Sequence, residues 1–393
     1  MKKEEINYRT AVPEKFHDLY GMDPVVLVRA PGRINLIGEH TDYNNGFVFP
    51  AAINKEIVFA MAPSKQAESS VFALNINKGT VVNHSTLLPY AKPAWINFFS
   101  GVVAGLQRAG FTIPPVNCVF GGDIPNGAGL SSSAALEVGF GTAFKQLFNL
   151  PVEPWDIVKI AQKAEHEFVG VKCGIMDMFA SKMGKKGHAM LLDCQSLSFD
   201  YFPVSLGDYQ LLLIDTQVKH SLASSEYNTR RQECEKGVEI LRKHKMEATS
   251  LRDFTPGEVE EHSHELPDKV YRRCRFVTGE IERTQLAAID LKKGDILAFG
   301  AKMFETHHGL SADYEVSCPE LDFLAGQAQL FPDKIPGARM MGGGFGGCTI
   351  NIVKTGFVEE FKKHVSLAYT RKFHISPVFI DVSIEDGAGL LGV

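Results

Sequence analysis

The stretch Arg29-Ala30-Pro31-Gly32-Arg33-Ile34-Asn35-Leu36-Ile37-Gly38-Glu39-His40-Thr41-Asp42-Tyr43 sets two arginines, a Glu, a His and an Asp beside glycines. Glycine permits tight backbone turns. Ionised Glu39 and Asp42 can only accept hydrogen bonds, whereas His40 donates or accepts. That mix suits a polyhydroxyl ligand such as a sugar, and equally a polar loop with local salt bridges. Val25 to Arg29 reads as a short buried strand, after which Pro31-Gly32 turns the chain.

Two further glycine-rich stations follow. Pro125-Asn126-Gly127-Ala128-Gly129-Leu130-Ser131-Ser132-Ser133-Ala134-Ala135 lies between a strand and a helix. Its glycines let the backbone wrap an anion, and a helix start presents free N–H groups to it. The serines can cap the helix, donate to phosphate or ligate a metal. No Lys follows the glycines, so this is not a Walker A loop, and Ser132 stands where a dinucleotide fingerprint needs its third glycine. A merely well-capped helix has the same pattern. The third station, Met341-Gly342-Gly343-Gly344-Phe345-Gly346-Gly347-Cys348, holds five glycines in six positions. Such a run implies close backbone approach or a tight bend at a sheet edge. Between the second and third stations lies Cys173-Gly174-Ile175-Met176-Asp177, whose aspartate either forms a turn or faces a cleft.

Outside these stations the chain is ordinary. Its 393 residues favour two domains. Forty-one basic against 46 acidic side chains give a net charge of −5, which excludes a broadly basic nucleic-acid binder. Seven cysteines, odd in number, widely spaced and without CxxC, argue for a reduced, cytoplasmic setting rather than a disulfide framework or zinc site. Met1-Lys2-Lys3-Glu4-Glu5 begins no signal peptide, and no apolar run is long enough to span a membrane. Arg272-Arg273-Cys274-Arg275 reads as a solvated helix face, and Glu261-His262-Ser263-His264-Glu265 as a surface loop.

Periodicity places a helix over 132–148, with Leu136, Phe140, Phe144, Leu147 and Phe148 on one face. A second helix runs over 154–169 with Ile157, Ala161, Ala164 and Phe168 as its buried stripe. Glu165 falls at the edge of that stripe, within reach of solvent or of a metal. Strands are expected at 57–61, 71–75, 116–120, 211–214, 349–353 and 378–382, and residues 226–295 are mostly helical in pattern. Strands and helices mix without strict βαβ alternation, so the fold class is α+β. A boundary near 185–210 divides a unit over 1–200 from one over 201–393.

Taken in order, the three stations and Asp177 resemble the GHMP small-molecule kinases, and among them the galactokinase family. Gly32 to Tyr43 is similar to that family's sugar-side signature, Pro125 to Ala135 to the phosphate loop, and Gly342 to Gly347 to the third motif. Gly174-Ile175-Met176-Asp177 and Ser225-Glu226-Tyr227-Asn228-Thr229-Arg230-Arg231 also resemble galactokinase segments. One departure is Met178, where the family usually carries Gln.

The resemblance implies an N-terminal domain like domain 2 of ribosomal protein S5 and a ferredoxin-like C-terminal domain, with the active site between them. It implies γ-phosphoryl transfer from ATP with Mg2+ to the 1-hydroxyl of galactose. Asp177 and Arg33 would be catalytic. Glu39, His40, Thr41, Asp42, Gly174 and Tyr227 would bind the sugar. Gly127, Ala128, Gly129, Leu130, Ser131, Ser132 and Ser133 would hold the nucleotide, with Trp95 stacked on adenine, and Ser133 and Glu165 would take the metal. The expected partner is a small-molecule sugar, with no nucleic acid and no membrane. Alternatives are a sister kinase for N-acetylgalactosamine, arabinose or a uronic acid, or a non-catalytic sensor of galactose and ATP. Some such sensors lose residues after the serine run, which is intact here.

Overall fold

The computed structural model describes residues 6–219 and 223–391, and the side chains of 219–225 lie outside the description. Met1 to Glu5 and the Ser225 side chain, both read above, therefore fall outside it. The strands are β1 (Val26–Asn35), β2 (Phe47–Val48), β3 (Pro50–Pro63), β4 (Ser69–Ala73), β5 (Lys78–Val82), β6 (Val116–Gly122), β7 (His188–Asp193), β8 (Phe199–Pro203), β9 (Tyr209–Lys219), β10 (Gly337–Met340), β11 (Gly346–Lys354), β12 (Val378–Asp381) and β13 (Gly389–Leu390). The helices are α1 (Tyr8–Tyr20), α2 (Ile96–Arg108), α3 (Ser132–Phe148), α4 (Pro154–Ala164), α5 (Met176–Met183), α6 (Ala223–Leu241), α7 (Pro256–Glu261), α8 (Asp268–Lys293), α9 (Ile296–Ala312), α10 (Pro319–Gln329) and α11 (Val358–Phe373). The architecture is mixed α/β with two main sheets. No helix among the described residues is long and apolar enough to cross a membrane.

The first sheet runs β13-β1-β3-β6-β4-β5 and is antiparallel except at β4–β6. Strand β3 shows the period-2 logic of a sheet covered on both faces. Ile57, Phe59 and Met61 enter the core shared with α2 and α3. Val58, Ala60 and Ala62 enter a smaller core with Val12 and Phe16 of α1. The second sheet runs β10-β11-β9-β12, all antiparallel. Leu212, Ile214 and Val353 pack with Phe361, Val365 and Tyr369 of α11, while the alternate residues Leu211, Leu213 and Ile350 join the core that holds Phe299 and Met303. A small third sheet, β2-β7-β8, lies between. The chain's end returns to the first sheet, where Gly389 and Leu390 pair with β1.

Four local expectations change. Strand β1 does not stop at Arg29; it continues through a bulge between Pro31 and Arg33. A side-chain carbon at Gly32 would lie 2.7 Å from the Leu130 carbonyl oxygen, so glycine here admits the phosphate loop rather than turning the chain. Helix α4 ends at Ala164 and widens into a π-turn over Glu165–Val169, a form that often marks functional sites. Arg273 is 1% exposed, not solvated: it donates to Glu233 at 2.8 Å and Glu315 at 2.5 Å. A guanidinium tolerates burial when its donors are so paired.

Helix α3 is buried nearly all round, not on one stripe, because β1 and β3 lie on one side and α2, α4 and α5 on others. Its approach to β3 depends on Gly139, where a Cβ would fall 2.1 Å from the Phe59 ring. Gly139→Ala therefore overpacks a buried contact. It should lower stability by about 1–3 kcal/mol in urea denaturation, with the urea m-value unchanged.

Candidate active site

The three stations meet in one cleft of about 290 Å³. Arg33 enters from the end of β1 and is 3% exposed. Its Nε donates to Asp177 Oδ1 at 2.7 Å, its Nη1 to the Gly129 carbonyl at 2.5 Å, and its backbone N–H to the Leu130 carbonyl at 3.2 Å. Asp177 stands in the first turn of α5, and its second oxygen accepts from Ser131 Oγ at 2.6 Å. A strand end, a glycine loop and a helix start are thereby joined through a single guanidinium–carboxylate pair.

The phosphate loop owes its shape to three left-handed residues: Gly127 (φ 78°), Gly129 (φ 75°) and Ser131 (φ 57°). L side chains rarely adopt this region, so Ser131 is a strained position. Ser131 makes no side-chain cap to α3; its hydroxyl is engaged by Asp177 instead. The first turn of α3 thus keeps backbone N–H donors for an anion. Gly127, Gly129, Leu130, Ser131, Ser132 and Ser133 all line the cleft, and Ala128 is buried behind them. The third station is the hairpin between β10 and β11, and it backs the phosphate loop. A side-chain carbon at Gly342 would sit 3.3 Å from the Gly129 carbonyl oxygen, and one at Gly347 3.2 Å from the Ala128 carbonyl carbon.

Polar residues of the first station share the cleft with Gly174 and Tyr227. Glu39, His40, Asp42, Gly174 and Tyr227 line the cleft with Arg33 and Asp177. Asp42 accepts from the backbone N–H groups of Tyr43 (3.0 Å) and Met176 (3.4 Å). Burial, with the negative charge of Asp177 adding to it, raises its carboxyl to about 6. Gly174 lies directly beneath that carboxylate: a Cβ there would be 1.8 Å from Asp42 Oδ2. His40 adopts φ 62° and its ring lies 5.3 Å from that of Tyr227. Burial, reinforced by the Arg230 charge, lowers its imidazole to about 3, so it is neutral.

Besides Ala128, two expected residues lie off the cleft wall. Thr41 is fully buried, and its hydroxyl donates to the carbonyls of Gly38 (3.0 Å) and Phe47 (2.6 Å). The Trp95 ring packs at 5.7 Å from Phe120, with its Nε1 buried and unpartnered.

Glu165 also lines the cleft; it opens the π-turn and is 5% exposed. Burial raises its carboxyl to about 7, with the nearby Ser133 hydroxyl opposing that rise. Its Oε2 has no partner, nor does either oxygen of Glu137, which is fully buried. This orphaned cluster of hard oxygen donors fits a divalent cation.

Three site residues escape a reading by spacing. Arg339 is fully buried and donates to Glu39 Oε1 at 3.0 Å, the Leu36 carbonyl at 2.9 Å and the Asn35 carbonyl. Gly342 N–H donates to the same Glu39 oxygen at 2.8 Å. Glu280 of α8, also fully buried, accepts from Gly38 N–H at 2.9 Å. Glu137 carried a signal that periodicity passed over, being the one charge in the apolar run Ala134-Ala135-Leu136-Glu137-Val138-Gly139-Phe140.

Comparison with known proteins agrees with this geometry. Residues 14–63 match the model of the galactokinase galactose-binding signature, and residues 97–185 that of the GHMP kinases N-terminal domain. The chain is 40% identical to a galactokinase of Roseiflexus sp., over 91% of this chain and 90% of that one. It is 40% identical to a galactokinase of Clostridium acetobutylicum, over 95% and 97% respectively. The crystal structure of Lactococcus lactis galactokinase complexed with galactose superposes with a TM-score of 0.93 at 32% identity, covering 98% of this chain and all of that one. Methanococcus jannaschii mevalonate kinase shares the fold, with a TM-score of 0.64 at 16% identity, covering 92% and 98%. By its sequence identities, its signature and its cleft, the chain belongs to the galactokinase family of GHMP kinases.

Proposed function

We propose that this protein transfers the γ-phosphoryl group of ATP to the 1-hydroxyl of galactose, giving galactose 1-phosphate and ADP. The observation that carries the reading is the meeting of Arg33, Asp177 and the Gly127–Ser133 backbone around one small space, with the sugar-side carboxylates on its far wall. Phosphoryl transfer depends mainly on positioning and on stabilising charge.

In this reading Asp177 accepts the proton of the attacking hydroxyl or holds that hydroxyl in line, exchanging its Ser131 contact for the substrate. Arg33 stands beside it and offsets charge on the phosphoryl oxygens. The N–H groups of the phosphate loop and of the first turn of α3 hold the nucleotide phosphates. Trp95 would reach only the adenine end of a nucleotide extending past the cleft. Ser133 and Glu165 would hold Mg2+, which supplies positive charge against the phosphates. Glu39, His40, Asp42, Gly174 and Tyr227 bind the sugar, with Thr41 bracing their loop from behind. A site built to bond hydroxyls rejects analogues lacking them, because its own polar groups are then unpaired. The two units, 1–200 and 201–393, are part of this reading, with the cleft between them. All seven cysteines are free, and we place the protein in the cytoplasm on that ground.

A panel of sugars with coupled ADP detection tests the assignment. ATP-dependent turnover should be highest with galactose, and preference for N-acetylgalactosamine, arabinose or a uronic acid would overturn it. Asp177→Asn should lower turnover at least about 100-fold with little change in ATP affinity, read by steady-state kinetics and nucleotide titration.

Asp42 sets the pH dependence of sugar binding. Its folded-state value, about 6, lies above the ordinary carboxylate range. In the unliganded protein its contribution to stability is therefore full below that range and is lost as pH rises through about 6. Sugar hydroxyls that donate to the ionised form reverse this balance. Galactose affinity should fall about tenfold between pH 7 and pH 5, and Asp42→Asn should bind weakly at both pH values without that slope.

A further inference from the structure

Behind His40 lies a row of polar groups that the phosphoryl-transfer reading does not use. His40 Nδ1 is 2.8 Å from Tyr43 Oη. Tyr43 Oη is 2.6 Å from Tyr314 Oη, and Tyr314 Oη is 3.2 Å from Cys234 Sγ. Tyr314 and Cys234 are 0% and 1% exposed, so no bulk water substitutes for either of them. The members come from the first station, from α6 and from the segment after α9, which sequence order sets far apart. Tyr314 is held in place by Arg230, whose Nε donates to its backbone carbonyl at 2.8 Å. The opposite ring nitrogen, His40 Nε2, is buried without a hydrogen-bond partner.

We infer that Tyr43, Tyr314 and Cys234 are positioning residues that fix His40 in the tautomer carrying its proton on Nε2, so that His40 acts as an obligate hydrogen-bond donor to an oxygen of the bound sugar. The relative strengths of the donors and acceptors give the direction of the row. An imidazole nitrogen is a strong acceptor, and a phenol is a better donor than acceptor. The strongest set of bonds therefore runs towards the ring: Cys234 S–H to Tyr314 Oη, Tyr314 O–H to Tyr43 Oη, and Tyr43 O–H to His40 Nδ1. The reverse set would have the ring donate to a phenol oxygen, leaving no phenol O–H on the imidazole nitrogen, and would end on sulfur, a weak acceptor. Nε2 has no hydrogen-bond partner in the protein, so the donor it then carries stays available. The neutrality of His40 leaves the choice of tautomer, rather than of charge, as the variable the row controls.

This inference rests on the sugar-kinase reading above and gives it a source of selectivity. A fixed N–H selects a sugar that places an acceptor oxygen against it. A ring free to exchange tautomers would accept hydroxyls of either sense.

The test joins nitrogen-15 NMR of the histidine side chains with steady-state kinetics, on the full chain. The His40 signals are identified by their loss in His40→Gln. In the wild type they should show one Nε2–H tautomer, with and without galactose. In Tyr314→Phe they should shift towards a mixture, while KM for galactose rises roughly threefold to tenfold and KM for ATP stays within about twofold. Tyr43→Phe, at a less buried position, should do the same and serves if Tyr314→Phe does not fold. An Nδ1–H tautomer in the wild type, an unchanged tautomer in both phenylalanine variants, or an equal rise in both KM values would overturn the inference. Loss of all galactose-dependent turnover in the wild type would instead overturn the sugar-kinase reading itself.

Discussion

The site is organised by the burial of one guanidinium. Arg33 has 4% of its side chain exposed, and a charge so desolvated is tolerated only when it meets an opposite charge and hydrogen-bond acceptors. Asp177 and the Gly129 carbonyl supply that pairing. The requirement fixes β1, the phosphate loop and α5 relative to one another before any ligand arrives. It explains why the loop accepts left-handed backbone at Ser131 and why the hydroxyl of that residue turns to Asp177 instead of capping α3. Preorganisation of this kind lowers the cost of aligning donors at the moment of reaction.

A second layer ties the later part of the chain to the same space. Arg339, from β10, reaches into the first station and takes up one oxygen of Glu39 and two backbone carbonyls beside it. Glu280 does the converse from α8, accepting the Gly38 N–H. Such buried ionic contacts add little net stability, because desolvation offsets the Coulomb attraction. Their consequence is geometric. One oxygen of Glu39 is saturated by Arg339 and Gly342, so only the other can meet a ligand. Gly342 in turn abuts Gly129, so the sugar-side carboxylate and the phosphate loop share a neighbour.

Much of this was legible in the sequence, for identifiable reasons. The bounds of α3 followed from its apolar period and the glycine–serine run before it, and β9 and β11 from unbroken or alternating apolar runs. The stations announced themselves because glycine clusters and mixed charges are rare outside functional backbone. What stayed hidden depended on contacts distant in sequence. Nothing near Arg339, Glu280 or Tyr314 in the chain shows that each will face the first station. Arg273 looked like a solvated face because its partners, Glu233 and Glu315, lie some 40 residues to either side. The continuation of β1 through Pro31-Gly32 was obscured because those residues usually end strands, and only the approach of Leu130 explains their presence. The π-turn at Glu165 left no periodic trace, since its stripe continues the helical one.

The most direct measurement follows the phosphorus atom itself. Galactose labelled with carbon-13 at C1 is incubated with ATP, Mg2+ and the protein, and the product is read by carbon and phosphorus NMR. The account predicts that the C1 resonance acquires a phosphorus coupling as ADP appears in equal amount. Phosphate on any other carbon, or ADP released with free inorganic phosphate and an unchanged sugar, would contradict it.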